Sequence, residues 1–282
     1  MPVYEDLFLI KKAVTSVLAQ INVEVLLYIS DDSRSSKIEN YIEKLNDDRV
    51  IYWRNEEQLG LAENSNKLLK YVTTDWFKFQ HQDDILYDNL SIYRLLQASK
   101  ENQNASFIFG KVEVHGLFGV IKRSYSEINT LLTYRSPVDI LTNNYIGSVS
   151  NMIINKSMRH IKWNQNLRYF LDVDYYRRIY KNPRFINSFV NRSYHGGAFQ
   201  IQNTQSFNRL LKVNEAIYVL RNEIKHVDKI LSVKIFCWLF PMSPILVYRF
   251  YRQNGLKMFG MKDIVQIILN FLKYYVAKKE II

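Results

Sequence analysis

The first hundred residues alternate between two hydrophobic periods, and no other feature narrows the choice of fold as much. Residues 23–30 (VEVLLYIS) form a β-branched and aliphatic run that reads as a buried strand, and residues 50–53 and 76–80 (WFKFQ) read as two more. Between these runs the apolar residues recur at helical spacing. Leu7, Ile10, Val14, Val17 and Leu18 share one face behind Asp6, a residue type suited to capping a helix start. Ile38, Tyr41, Ile42 and Leu45 share another face, and residues 61–71 form a third pattern, entered after Gly60. Strands alternating with helices of this length argue a parallel α/β sheet.

Farther along, residues 106–114 (SFIFGKVEV) read as a strand that residues 120–122 can pair with. Residues 148–154 (SVSNMII) and 185–194 read as two more strands, and residues 172–181 (DVDYYRRIYK) as a helix. From about residue 221 the character changes. Apolar and basic residues mix in residues 230–248 (ILSVKIFCWLFPMSPILVY) and 261–276, followed by Lys278 and Lys279. Lys234, Pro241 and Pro244 interrupt the first of these stretches, which argues against a spanning helix. Two arrangements fit such a tail: helices packed on the domain, or helices lying in a membrane interface. The expected division is one domain over residues 1–205 and a basic, apolar helical extension over residues 206–282.

Hydrophobic residues make up 48% of the 282 positions and charged residues 23%, which excludes a disordered or fibrous chain. A single Cys excludes an intrachain disulfide and a Cys-cluster metal site, and it points to a reducing compartment. No secretory signal opens the sequence, since Met1-Pro2 is followed at once by Glu5 and Asp6. The formal charge of +11 implies anionic company: nucleic acid, acidic lipid or phosphorylated substrates. A non-enzymatic nucleic-acid binder is one class this charge permits, because 20 Tyr and 16 Phe could stack on single strands. Against it, no recognisable nucleic-acid module occurs and the positive charge gathers toward the tail. Nucleic acid is therefore not an expected partner.

In open α/β sheets ligands bind beyond the carboxyl ends of the strands. Asp31, Asp32 and Ser33 follow the strand that ends at Ser30, and His81, Gln82, Asp83 and Asp84 follow the one that ends near Gln80. Taken singly, an Asp pair after a strand reads as a turn or helix cap. Two such pairs at one sheet edge repel each other, and a divalent cation relieves that repulsion. Mg²⁺ or Mn²⁺ prefers oxygen ligands and bridges carboxylates to phosphates, so the pattern suggests a nucleoside diphosphate held by metal.

With those residues in view, the chain resembles family 2 glycosyltransferases of the GT-A fold. Pro2-Val3-Tyr4 resembles the end of their first strand, and Ser16 to Gln20 the S-x-L-x-Q end of their first helix. Asp31-Asp32-Ser33 resembles their D-D-x-S loop, residues 55–66 (NEEQLGLAENSN) their N-x-G-x-x-x-x-x-N segment, and His81-Gln82-Asp83-Asp84 the metal-binding D-x-D motif in its Q-D-D form. Residues 144–154 resemble the acceptor-side Gly-Ser segment. Leu171-Asp172-Val173-Asp174 with Arg177 and Arg178 resembles E-D-x-D with a trailing Arg, and His195 with Gln202 and Thr204 resembles the His that closes the domain. The order and spacing over residues 1–205 make the match specific.

The resemblance implies a Rossmann-like nucleotide-diphospho-sugar transferase fold, a mixed sheet flanked by helices with a C-terminal helical extension. It implies nucleotide contacts from Tyr4, Asp31, Asp32, Asn66 and Asp83, metal ligation by Asp84 and His195, and a general base at Asp172. The implied reaction is inverting transfer from a UDP-, dTDP- or GDP-sugar, aided by Mn²⁺ or Mg²⁺. The acceptor would be a hydroxyl of a glycan or polyprenyl-diphosphate-linked oligosaccharide in surface polysaccharide synthesis, at the cytoplasmic face of the membrane. Three positions depart from the pattern: Glu5 stands for the usual Asn, Ser65 for an Arg, and Leu171 for the Glu before the base. The sequence also opens at the last residues of the first strand, and the expectation is either an upstream start or a shortened, catalytically impaired copy.

Overall fold

The computed structural model describes residues 1–116, 119–123, 140, 144 and 146–194, and positions 211, 214–215 and 218–219. The chain divides into two compact units, residues 1–205 and 206–282, and the elements below belong to the first. The helical pattern expected for the tail, and His195, lie outside the described residues.

Strand β1 (Pro2–Val3), β2 (Leu27–Asp31) and β3 (Val50–Arg54) form a parallel three-stranded sheet in the order β1-β2-β3. Helix α1 (Leu7–Leu18) starts where Asp6 Oδ1 accepts the Leu9 N–H at 3.1 Å, as its capping role predicts. It buries Ile10, Ala13, Val14 and Val17 together with Ile29 of β2 and with Ile38 and Ile42 of α2 (Lys37–Leu45). Helix α3 (Gly60–Leu68) continues into a 3-10 turn over Leu69–Tyr71. Strand β2 is shorter than the apolar run suggests. Leu27 pairs with Val50 at the start of β3, so residues 23–26 have no ladder to join, and Leu26 is exposed.

The second sheet is mixed and six-stranded. It contains β4 (Trp76–Phe77), β5 (Asp84–Leu86), β6 (Phe107–Gly116), β7 (Gly119–Arg123), β8 (Met152–Asn155) and β9 (Arg184–Tyr194). Its order is β4-β8-β6-β9-β5, with β7 paired to β6. Strands β6 and β9 run parallel, and their ladder shifts register between Phe109 and Val112. Strand β4 ends before the expected Gln80: in its antiparallel register with β8 the partner of Gln80 would be Asn151, which belongs to a 3-10 turn over Val149–Asn151. Helix α4 (Ser91–Glu101) packs Leu95 on Ile108, Ile153 and Val190.

Helix α5 (Leu171–Ile179) is anchored by aromatic packing. The Trp163 and Tyr175 rings stack with centroids 4.3 Å apart, and Phe79 meets Trp163 edge-on at 5.2 Å. Asp174, with no exposed surface, accepts from Arg177 at 3.0 Å and from Arg178 at 2.8 Å.

Candidate active site

The carboxyl end of β2 opens the site. Asp32 is buried; its Oδ1 accepts from Asn55 Nδ2 at 2.6 Å and its Oδ2 from the Gly60 N–H at 2.8 Å. Gly60 presents that N–H from a φ of 77°, a backbone state that side chains with a Cβ resist. Lys67 Nζ holds the far end of Asn55, donating to Oδ1 at 2.5 Å. A carboxylate oxygen has two lone pairs, so Asp32 keeps acceptor capacity for a ligand N–H.

Asp31 sits differently. It has no exposed surface, its Oδ1 accepts from the Ser33 N–H at 2.8 Å, and its Oδ2 accepts from the Tyr52 hydroxyl at 2.8 Å. Burial, with Asp31 adding to it, pushes the Tyr52 phenol well above its ordinary range. Asp31 thus shapes the loop from beneath. Asn66, the other nucleotide contact expected from the α3 segment, clamps Trp163 instead: its Oδ1 accepts the Trp163 N–H at 2.7 Å, and its Nδ2 donates to the Trp163 carbonyl at 3.0 Å.

Tyr4 follows β1 and joins the two sheets. Its N–H donates to Gln82 Oε1 at 2.7 Å, and its carbonyl accepts from Gln82 Nε2 at 3.1 Å. The side-chain amide of Gln82 thus does for one residue what a neighbouring strand would do. Glu5, where the family pattern has Asn, sits at a φ of 55° and accepts from the Arg34 N–H at 2.7 Å and from Ser35 Oγ at 3.0 Å. The Arg34 N–H holds its carboxyl below the usual range.

The loop between β4 and β5 carries His81, Asp83 and Asp84, each offering one ligand atom, all within 4.8 Å of one another. Asp84 is buried at the start of β5, where its N–H donates to the His81 carbonyl at 3.3 Å and its Oδ2 accepts from Ser148 Oγ. The His81 N–H donates to Ser150 Oγ at 2.8 Å, and Lys78 Nζ donates to the Ser150 carbonyl. Burial pulls the Lys78 ammonium down to about 7, with Asp84 opposing the fall. The Gly-Ser segment before β8 therefore grips this loop from one side.

Asp172 approaches from another. It is the second residue of α5, inside the helix's first turn, with Phe170 at the cap position. Its carboxyl is half-buried and interacts electrostatically with His81 and Asp84. Burial raises it above the ordinary aspartate range, His81 opposes the rise, and the Asp84 charge adds to it. Tyr176, one turn on, hydrogen-bonds Asp172 and donates its hydroxyl to the Gly147 carbonyl at 3.0 Å. Asp172 and the Asp84 loop, far apart in sequence, are thus tied together through the segment over residues 147–150.

The structure brings Asp83, Asp84 and Asp172 into one neighbourhood, with Tyr4 linked to it by Gln82 and Asp32, just past β2, bonded to the residue before Tyr4. The Asp32 N–H donates to the carbonyl of Val3 at 3.0 Å. Asp31 and Asn66 lie in the supporting framework. Sequence reasoning passes over His81. The signal that finds it is spacing: laid over His81-Gln82-Asp83, the D-x-D pattern puts an imidazole where the first carboxylate falls. Two carboxylates and the His81 imidazole, whose buried Nε2 has no hydrogen-bond partner, are a donor set that fits a divalent cation.

A parallel β-α-β half continued by a mixed sheet is the architecture of the GT-A fold, and solved structures agree. TarS of Staphylococcus aureus, residues 1–349, aligns with a TM-score of 0.57 at 14% identity, covering 86% of this chain and 71% of that one. The mannosyltransferase PcManGT from Pyrobaculum calidifontis, in complex with GDP-Man and Mn²⁺, aligns with a TM-score of 0.59 at 9% identity, covering 96% and 78%. Likeness at such identities speaks for the fold. Glycosyl transferase family 2 matches residues 1–194, and the chain belongs to that family. The Escherichia coli protein WfgD, a UDP-Glc:alpha-D-GlcNAc-diphosphoundecaprenol beta-1,3-glucosyltransferase, is 29% identical over 114 residues. That match spans 40% of this chain and 44% of WfgD, less than half of either.

Proposed function

We propose that this chain is a metal-assisted, inverting glycosyltransferase. In this reading it moves a sugar from a nucleoside-diphosphate donor, most favourably a UDP-sugar, to a hydroxyl of a polyprenyl-diphosphate-linked glycan in surface polysaccharide synthesis. The observation that carries the chemistry is that one segment holds α5 and the Asp84 loop together, with the Gly147 carbonyl accepting from Tyr176 at 3.0 Å and Ser148 Oγ donating to Asp84. The donor and acceptor classes draw support from WfgD, whose name states UDP-Glc and a diphosphoundecaprenol acceptor. Work on such an acceptor would hold the enzyme at the inner face of the cell membrane. Among the described residues no helix is long and apolar enough to cross one.

Each residue has a part in this scheme. Tyr4 and Asp32 hold the nucleobase, and Asp83 meets the ribose or phosphates. Asp84, with His195 in the sequence pattern, would ligate the cation. When bound, that cation would neutralise charge on the departing diphosphate. Asp172 takes the proton of the acceptor hydroxyl while its oxygen forms the new bond to the anomeric carbon and the bond from that carbon to the diphosphate breaks. Attack opposite the leaving group inverts the anomeric configuration. A carboxyl raised by burial is a stronger base than a solvated one, which suits it to this proton transfer.

Transfer assays on purified protein with UDP-sugars and a lipid-linked acceptor test the scheme. Asp172→Asn is expected to lower turnover by at least roughly 10²-fold while leaving UDP binding by calorimetry intact. Asp84→Ala, and chelator on the unaltered protein, are expected to abolish transfer. Full activity of either variant would remove its residue from the scheme.

A further inference from the structure

The His81 ring is built into the loop, and its Nε2 has no hydrogen-bond partner. Its backbone is fixed by Ser150 Oγ at 2.8 Å, and its ring lies 6.5 Å from the Trp163 ring. Its Nε2 is enclosed from solvent with no hydrogen-bond partner. An enclosed, unpaired polar atom costs roughly 1–3 kcal/mol unless something fills its coordination. Around that ring stand the carboxylates of Asp83 and Asp84, with one ligand atom from each of the three residues within 4.8 Å of the others. The ring also interacts electrostatically with Asp172. An apolar residue here would avoid the cost. The imidazole incurs it in a loop where two acidic residues follow.

We infer that His81 supplies a nitrogen ligand to the divalent cation of this site and thereby sets which cation is taken. The inference rests on the metal-assisted reading above and deepens it. Mg²⁺ is small and hard, keeps its waters and favours oxygen ligands, so an imidazole adds little to its binding. Co²⁺ and Zn²⁺ gain from an imidazole, and Mn²⁺ accepts one at little loss, in the usual rising order of nitrogen affinity along the series. A loop that offers one imidazole beside two carboxylates therefore favours Co²⁺ and Mn²⁺ over Mg²⁺. Replacing His81 with Asp exchanges that nitrogen donor for an oxygen and removes the share of the preference that His81 supplies.

Calorimetry on the full chain with UDP, titrating Mg²⁺, Mn²⁺ and Co²⁺ separately, reads the preference. Pulsed EPR on the Mn²⁺-loaded protein reads the ligand, since a coordinated imidazole nitrogen modulates the Mn²⁺ echo. The expected result is a preference for Mn²⁺ and Co²⁺ over Mg²⁺ of roughly tenfold or more and a nitrogen modulation, both largely lost in His81→Asp. Should that variant fail to fold by circular dichroism, His81→Gln, neutral and without a ring nitrogen, is read in the same way. Mn²⁺ binding with no nitrogen modulation, or modulation and preference unchanged in the variants, overturns the role of His81 and leaves the metal-assisted reading standing. Absence of any cation binding, with or without UDP, overturns both.

Discussion

Asp172 shows burial and chemistry pulling in opposite directions. Its carboxyl is raised by desolvation and by the Asp84 charge, so the folded chain holds a proton there at pH values where the unfolded chain has lost it. Folding therefore loses stability as pH rises from the ordinary aspartate value of 3.8 through the higher folded value, about 1.4 kcal/mol for each unit of difference. Asp172→Asn removes the ionisation. The variant should melt higher than the unaltered protein at pH 7.5 and no higher at pH 3.5, with calorimetric melts across that range as the measurement. An advantage that is equal at both pH values would locate it in packing. If Asp172 is the base of the proposed transfer, the same raised carboxyl should place the acid limb of kcat/KM above the range of a solvated aspartate, with a pH–rate profile as the measurement.

At the scale of elements, short-range bonds decide how the two sheets are joined and how β6 meets β9. Gln82 bridges the edge of β1 to the β4–β5 loop with two hydrogen bonds to the Tyr4 backbone. Gln82→Ala should cost about 1–3 kcal/mol, read as a fall in melting temperature, and should weaken UDP binding as Tyr4 loses its support. Gly110 lies inside the register shift of β6, where a Cβ would stand 2.7 Å from the Ser188 carbonyl oxygen and 2.9 Å from the methyls of Val190. Gly110→Ala should destabilise by about 1–3 kcal/mol in denaturant titrations, while the same change at Gly60 acts on Asp32 through the backbone. Helices α1 and α2 were legible in the sequence because each presents an apolar stripe to a core, whereas α3 buries Asn64, Ser65 and Asn66 between Ala62 and Leu68. Helix α4 is harder to see, since its buried face is Ser91, Leu95 and Ser99, and the three residues of β5 are too few to establish a period. In the candidate site, the positions of Asp32 just past β2 and of Asp172 in the first turn of α5 were legible, whereas Asp84 opens β5 and does not follow a strand that ends near Gln80. The framework roles of Asp31 and Asn66 were not, because Tyr52 and Trp163, which occupy them, stand 21 and 97 residues away in sequence. The imidazole of His81 is hidden by the Asp pair beside it, which satisfies the search for carboxylates first.

Over the whole molecule, charge and family likeness divide the chain in the same way. Residues 206–282 carry thirteen Lys and Arg against five Asp and Glu, so eight of the eleven net positive charges fall in the last quarter of the sequence. The family match ends at residue 194, before that segment begins. A tail that mixes this charge with runs such as residues 230–248 suits a surface with anionic headgroups and an apolar interior, where each Lys or Arg near the headgroups contributes about 1 kcal/mol. Such a surface is also where a polyprenyl-linked acceptor would be presented. The full chain should therefore sediment with vesicles containing phosphatidylglycerol and far less with vesicles of phosphatidylcholine. Salt should weaken the binding, since at 1 M the screening length falls to about 3 Å. The apolar runs should keep part of it, so that release at high salt is incomplete. Lys278→Glu with Lys279→Glu should reduce sedimentation at low salt and leave transfer to a short, water-soluble acceptor unchanged. Equal sedimentation with both vesicle types would assign the association to the apolar runs alone. No sedimentation with either would place the tail's charge and apolar surface in contacts within the protein.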